Sequence, residues 1–310
     1  MRYSAPFRGI ICGILLAMTC QNFAYCAFSK KDAGTCSAEF LRIPIGARSM
    51  AMGQAFVAIS DDSSAIYWNP AGMNQVSGTD ATLMHTAWFE GITYDWVSFV
   101  TEIDGESAFG LGLQYLSYGS IDGYDNTGLK TGAISPSDIA FNVAYSRKII
   151  GCDLGMTVKM ISLELKRSAS AVAADIGCIY KTYDDKISIG AAVQNMGTKI
   201  KFLTAEDSLP VNIKTGVAVN LSDSWITSMD INAPIDNEVY FGAGSEYSYK
   251  ISKDMYLAGR AGYSQLGKDS GGNGITFGLG VSYSDYRIDY AYVPFGSLGN
   301  TQTISIGIQF

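Results

Sequence analysis

The sequence predicts an all-β fold: a transmembrane antiparallel β-barrel of about 14 strands, preceded by an N-terminal segment of different character. Three observations lead there. The composition is too apolar for an ordinary soluble chain yet lacks a long apolar run. Apolar residues alternate with small or polar ones over most of the length. The links between the alternating stretches are by turns short and long.

Charged residues make up 16% of the 310-residue chain, where globular domains carry roughly 25%, and aromatics reach 12% with 19 Tyr. Gly is abundant at 34 and Pro scarce at 7. Beyond the N-terminus no apolar run approaches the ~20 residues a membrane helix requires. Hydrophobicity spread so evenly suits strands that are apolar on one face only. A formal charge of −7 argues against nucleic acid or an anionic surface as partner.

Residues 1–26 read as an export signal. Arg2 and Arg8 give a positive start, and Gly9 to Cys20 form an apolar stretch of about twelve residues, within the usual ~7–15. Ala24 and Cys26 put small residues at the −3 and −1 positions, which sets cleavage before Ala27. A membrane anchor needs a longer stretch. A lipoprotein signal on Cys20 or Cys26 is disfavoured by the bulky Met18 and Tyr25.

From about Asp80 the period is two. Phe109, Leu111, Leu113 and Tyr115 alternate with Gly110, Gly112 and Gln114, and Ile275, Phe277, Leu279, Val281 and Tyr283 with Thr276, Gly278, Gly280 and Ser282. This is the strand period, one face apolar and the other small or polar. It predicts strands at 80–87, 93–103, 106–118, 137–150, 152–165, 170–182, 186–196, 211–221, 225–233, 239–251, 254–265, 273–284, 286–293 and 301–310. Links such as Asp104-Gly105, Gly151 and Asp285 are tight, while those at 119–136, 197–210 and 294–300 are longer. A soluble sandwich has no reason to sort its links in this way. An outer-membrane barrel does so, with the tight side periplasmic. The last strand points Ile304, Ile306, Ile308 and Phe310 one way, and its terminal Phe310 resembles the signal read by the barrel-assembly machinery.

The thiols expected after cleavage are Cys36, Cys152 and Cys178. If 152–165 pairs with 170–182 around a turn near 167, Cys178 lies opposite about position 157. Cys152 is then roughly 16 Å away at ~3.3 Å per residue, beyond the ~7 Å a disulfide spans. Free thiols are expected.

Residues 27–79 are rich in Ala, Ser and Met and lack the alternation. Gly46-Ala47-Arg48, Met52-Gly53, Ala55-Phe56-Val57-Ala58, Asp61-Asp62 and Tyr67-Trp68-Asn69-Pro70-Ala71-Gly72-Met73 resemble the N-terminal signature of the PorV/PorQ group, within the wider FadL-like (long-chain fatty acid transporter) superfamily. Gln54 departs from it, standing where the group carries a second Gly. The resemblance implies a fourteen-stranded barrel at 80–310 whose lumen is filled by a hatch containing Gly46, Arg48, Gly53, Asn69, Pro70, Ala71 and Gly72. In the residues themselves, Gly46 and Gly53 allow positive φ or close backbone approach. Asp61, Asp62, Ser63 and Ser64 are N-cap candidates for a short helix through Tyr67. Pro70 pushes Asn69 out of the helical region, and Gly72 permits a reversal.

Chemistry of other kinds finds little support. A single histidine, His85, without a cysteine cluster cannot supply an ordinary zinc site. No serine sits in a nucleophile elbow, so neither an enzyme nor a cofactor is expected. The Asp122–Gly128 stretch has the wrong spacing for an EF-hand and reads as a polar outer loop. Strand parity turns Lys159, Lys214, Arg260 and Arg287 inward, together with Asp175, Asp230, Glu246 and Asp289. Most of these are expected to pair with one another. The sharper alternative is that Arg48, Arg260 or Arg287 holds a ligand carboxylate by bidentate bonding. Trp88, Phe89, Phe202 and Phe295 are the apolar outer-loop candidates for ligand entry. The resemblance implies passage of a hydrophobic small molecule, such as a long-chain fatty acid, across the outer membrane, in contact with outer-membrane lipid. The alternative it implies is a PorV-like docking or shuttle barrel for a secretion system or other outer-membrane assembly.

Overall fold

The computed structural model describes residues 33–182, 184–202, 204–266, 272–296 and 299–310. The export signal at 1–26 and its cleavage point lie outside the described residues.

Fourteen antiparallel strands close into one ring. In chain order they are β1 (Thr79–Ala87), β2 (Thr93–Glu102), β3 (Ser107–Ser117), β6 (Ser137–Ile149), β7 (Cys152–Glu164), β8 (Ser168–Lys181), β9 (Ile187–Gly197), β12 (Asn212–Ser222), β13 (Trp225–Pro234), β14 (Tyr240–Lys250), β15 (Met255–Ser264), β16 (Ile275–Tyr283), β17 (Tyr286–Pro294) and β18 (Asn300–Gln309). Each pairs with its neighbour in this order, and β18 returns to β1, with Asp80 opposite Gln309 and Leu83 opposite Ile306. Closure removes the open edges that a sheet otherwise leaves. Every predicted strand is present, with ends displaced by a residue or two.

Two of the long links also fold. β4 (Ile121–Tyr124) pairs with β5 (Lys130–Ile134), and β10 (Ile200–Lys201) with β11 (Glu206–Asp207), each a separate two-stranded hairpin. Both lie where the sequence predicts loops, because runs this short carry too few alternating residues to register as strands. At the tip of the first hairpin Asp125 accepts bonds from Thr127 Oγ1 and from the N–H groups of Thr127 and Leu129. These hold its carboxyl below the usual range, the Thr127 hydroxyl first. That turn is a local hydrogen-bonded device, as a polar loop requires.

The two faces of the wall differ as the alternation demands. On β18, Ile304 and Ile306 are about half exposed to the membrane side, whereas Thr301 and Thr303 are fully buried. Outward pairs such as Phe277 with Tyr292 and Leu279 with Tyr290 meet across β16 and β17, and inward Thr86 and Thr303 share a hydroxyl bond of 2.8 Å.

The thiol geometry is corrected. Cys178 lies opposite Leu154, so it is offset from Cys152 by two residues and not five. The turn closes one or two residues earlier than a loop centred at 167 implies, because β8 begins at Ser168. None of the three described cysteines forms a disulfide.

Candidate functional site

The N-terminal segment runs through the ring from one end to the other. Ser37 N–H donates to Ser208 O (2.9 Å), and Arg42 binds Asp236 through both terminal nitrogens, so the segment starts among the long links. It ends at Thr79, whose N–H and C=O bond Phe310 beside the tight turns. Between these points nearly every large side chain is buried: Phe40, Leu41, Ile45, Met50, Met52, Phe56, Ile66, Trp68 and Met73 are all at most 2% exposed. Trp68 Nε1 donates to Ile45 O (2.9 Å), and its ring meets Tyr67 and Phe56 edge-on.

Gly46, at φ +87°, opens a short helix, α1 (Ala47–Ala51), which lies against β15 to β18. Ala47 N–H donates to Ser305 Oγ (2.9 Å). Gly53 follows at φ +64° and Gln54 at +66°. Gln54 therefore occupies the left-handed region where the related group carries Gly, a conformation disfavoured for a residue with a Cβ. Phe56 and Val57 then give both N–H groups to one oxygen of Asp230, at 2.7 and 2.8 Å. The anticipated side-chain cap on the second helix, α2 (Ala65–Trp68), is absent. Asp62 instead accepts from Ser64 N–H (2.9 Å), two residues ahead of the cap position held by Ser64. Asn69 is extended, as the following Pro70 requires, and caps the next 3-10 segment by accepting from Ala71 N–H at 3.2 Å. Its amide nitrogen donates to Val57 O (2.9 Å) and Cys178 O (3.1 Å), so a buried polar side chain is satisfied on both ends. Gly72 makes no reversal through positive φ. Its role is contact, since a Cβ there would stand 2.1 Å from Ser60 O.

The wall answers with glycine. A Cβ on Gly177 would fall 2.0 Å from Asn69 Oδ1, on Gly155 2.3 Å from Pro70 C, on Gly190 2.4 Å from Val57 O, and on Gly262 2.1 Å from Gly53 N. Segment and wall thus meet backbone to backbone at Gly155, Gly190 and Gly262, and at Gly177 the wall backbone meets the Asn69 side chain, at distances no Cβ permits.

Charge makes the remaining contact. Glu246 receives Arg48 at 2.8 and 2.9 Å and also binds Arg260, which reaches Asp289 at 2.6 Å. Arg287 clasps Asp80 at 2.7 and 2.9 Å. Arg48, Glu246, Arg260 and Arg287, with Asp61 and Asp62, line a polar cavity of about 210 Å³ toward the tight-turn end. The three arginines named as ligand candidates are thus brought together, but each is already committed to protein carboxylates. Lys159 is likewise paired with Asp175 at 2.7 Å, both at most 1% exposed. Lys214 differs. It is buried, lies 4.6 Å from the Trp68 ring and 5.4 Å from the Tyr67 ring, and among the described residues makes no ion pair. Sequence parity places it in the lumen; its lack of a partner carboxylate is visible only in three dimensions.

At the outer end Trp88, Phe89 and Phe295 form a triad with centroids 5.2–5.7 Å apart. Phe202 lies elsewhere and lines a cavity of about 260 Å³ with Tyr118, Ile121, Leu163 and Leu165. Cys36, Glu39 and Asp236 bring potential metal ligands within 4.8 Å of one another. Arg42 already supplies the cation to both carboxylates. Burial, with Asp236 adding to it, pushes the Cys36 thiol up to about 12, which keeps it protonated and a poor ligand. His85, on the outside of β1, pairs with Asp95 at 2.6 Å.

A closed ring of fourteen strands, lipid-facing aliphatics and links sorted by length define a bacterial outer-membrane β-barrel of the FadL-like channel fold. Solved structures of that fold resemble it over most of both chains. The Pseudomonas putida toluene transporter TodX matches at 16% identity and TM-score 0.55, covering 85% of this chain and 96% of that one. A Pseudomonas aeruginosa FadL homologue matches at 12% and 0.58, covering 86% and 98%. The monoaromatic hydrocarbon channel CymD matches at 12% and 0.57, also covering 86% and 98%. The family is narrower than the fold: residues 27–232 match the model of the type IX secretion system protein PorV, and the chain belongs to that family. No curated protein matches it.

Proposed function

We propose that this protein is a sealed docking barrel, which offers its outer mouth to an exported protein and passes no solute through its lumen. In this reading residues 1–26 are removed on export, 27–79 act as a fixed plug and 80–310 as the wall. The observation that carries it is the seating of residues 46–73, whose backbone rests on Gly155, Gly190 and Gly262 and whose Asn69 side chain rests on Gly177, without room for a Cβ. A plug that withdraws with each passage event must break those contacts and the Arg48–Glu246 and Arg287–Asp80 pairs every time. The family description, a secretion-system component, agrees. Phe310 serves assembly: its backbone closes on Thr79 while its ring is exposed. Deleting it is expected to lower outer-membrane levels through the barrel-assembly machinery, read by membrane fractionation.

The test compares a deletion strain with its complemented parent for two readouts, the cell-surface proteome and uptake of a labelled long-chain fatty acid. Loss of surface proteins with unchanged uptake supports docking. The reverse supports the second reading, a channel for a hydrophobic solute. That reading is favoured by the shared fold of TodX and CymD, by the aromatic triad at the mouth, and by Lys214, a lumen cation available to a carboxylate.

A further inference from the structure

The outer mouth carries exposed apolar surface on a link outside the ring strands. Ile121, Tyr124 and Leu129 are 47%, 62% and 68% exposed on the β4–β5 hairpin, which stands beyond the ends of the ring strands. Large apolar side chains left bare on an aqueous loop mark an interaction site more often than scattered surface residues do. At the hairpin's root opens the 260 Å³ cavity, floored by Tyr118, Ile121, Pro136, Leu163, Leu165 and Phe202. Its rim is acidic. Glu39, Asp138 and Glu164 line it, no Lys or Arg does, and among the described residues Glu164 makes no ion pair. Lys166 and Arg167 follow Glu164 in the chain but are not part of the lining. Finally, among the described residues β5 pairs only with β4, so one of its edges has no strand partner there.

We infer that this cavity binds an extended segment of the docked protein, inserting one aromatic or leucyl side chain between flanking Lys or Arg residues. The cavity has the size of one large side chain, the rim supplies the opposite charge, and the open β5 edge offers main-chain hydrogen bonds to an extended chain. The inference rests on the docking reading and names the chemistry of what docks.

The experiment uses the full barrel in lipid nanodiscs and three dye-labelled heptapeptides that differ only at the centre: Lys-Phe-Lys, Lys-Ala-Lys and Glu-Phe-Glu. Lys-Phe-Lys is expected to bind at least about tenfold tighter than Lys-Ala-Lys, the scale of burying one large side chain. Its advantage over Glu-Phe-Glu is expected to be several-fold and to shrink with salt. Phe202→Ala is expected to abolish the preference for Phe, and Glu164→Gln to weaken the preference for Lys, with heat-modifiability of both variants unchanged. Equal affinity for the three peptides, or preferences untouched by both variants, overturns the site. A deletion strain that loses its surface proteins while Phe202→Ala and Glu164→Gln restore them in full leaves docking standing and also removes this cavity from it. A deletion strain that keeps its surface proteins removes the docking reading itself.

Discussion

Two regions of the wall hold the N-terminal segment by different means. On the β7–β9 side, Pro70 and Val57 rest backbone on backbone against Gly155 and Gly190, and the Asn69 side chain rests on the backbone of Gly177. On the β14–β18 side, toward the tight turns, Arg48, Glu246, Arg260 and Asp289 form a chain of ion pairs beside a polar cavity, with Arg287 on Asp80 next to it. The first contact depends on side chains being absent, so it tolerates no addition. The second depends on charge at the end of long side chains, with room for water around it, so it can adjust. The segment is therefore clamped by glycines of β7–β9, and again at Gly53 by Gly262 of β15, and is tethered by charge beside the polar cavity.

The largest effect is expected where there is no slack. Gly177→Val places its Cβ against Asn69 Oδ1, which is fixed by three further hydrogen-bond partners of the same amide. The variant is expected to lose its heat-modifiable band or to expose the segment to trypsin at Arg42 and Arg48. Gly259→Val is the control, since a Cβ there meets nothing within 4 Å, and is expected to match the parent. If both variants behave as the parent does, the clamp is not a clamp.

On the tethered side the effect should be smaller. Glu246→Gln leaves Arg48 and Arg260 without their shared carboxylate, although Asp61 and Asp289 remain to them. A loss of about 1.5–3 kcal/mol is expected, the scale of hydrogen bonds to charged groups. Thermal unfolding in detergent measures it. A collapse as complete as that of Gly177→Val would erase the distinction between the two sides.

How much of this was legible in the sequence follows from the same contrast. Period-two alternation is a local property, so all fourteen strands and the inward direction of Arg260, Arg287, Lys159 and Lys214 could be read directly. The motif around Asn69-Pro70 also gave its own backbone path, because Pro70 constrains Asn69 without help from tertiary contacts. What a glycine does in a wall strand is not local. Gly155 and Gly177 read as ordinary small residues of an alternating strand until the segment is seen against them. Pairing is also non-local. Nothing in the sequence says that Arg48, Arg260 and Arg287 are all held by carboxylates while Lys214 rests on the Tyr67 and Trp68 rings. The register of β7 against β8 failed for the same reason, since it hangs on where one turn closes.

The smallest effect sharpens the comparison at the outer mouth, where a fourth arginine, Arg42, binds Asp236 and Glu39 next to Cys36. Burial and Asp236 push the Cys36 thiol up to about 12 from a usual 9.0. In a Cys152→Ser, Cys178→Ser background, iodoacetamide labelling at about pH 9 is therefore expected to be slow in the folded barrel. It should rise only as the pH approaches the raised value, because the thiolate is the nucleophile. The urea-unfolded chain should label readily at the same pH. Equal rates would show that the outer end of the segment is open to water, unlike its two flanks.

The central claim is that the segment stays seated while the protein works, and a lock tests it most directly. Ser63 of the segment and Ser98 of β2 are buried with their hydroxyls 2.8 Å apart. Ser63→Cys with Ser98→Cys, in a chain whose Cys36, Cys152 and Cys178 are replaced by Ser, joins segment to wall on oxidation. The readout is the amount of exported protein reaching the cell surface, with and without reductant. The fixed-plug account predicts the same delivery in the oxidised and reduced states, and delivery lost on oxidation but restored by reductant would contradict it.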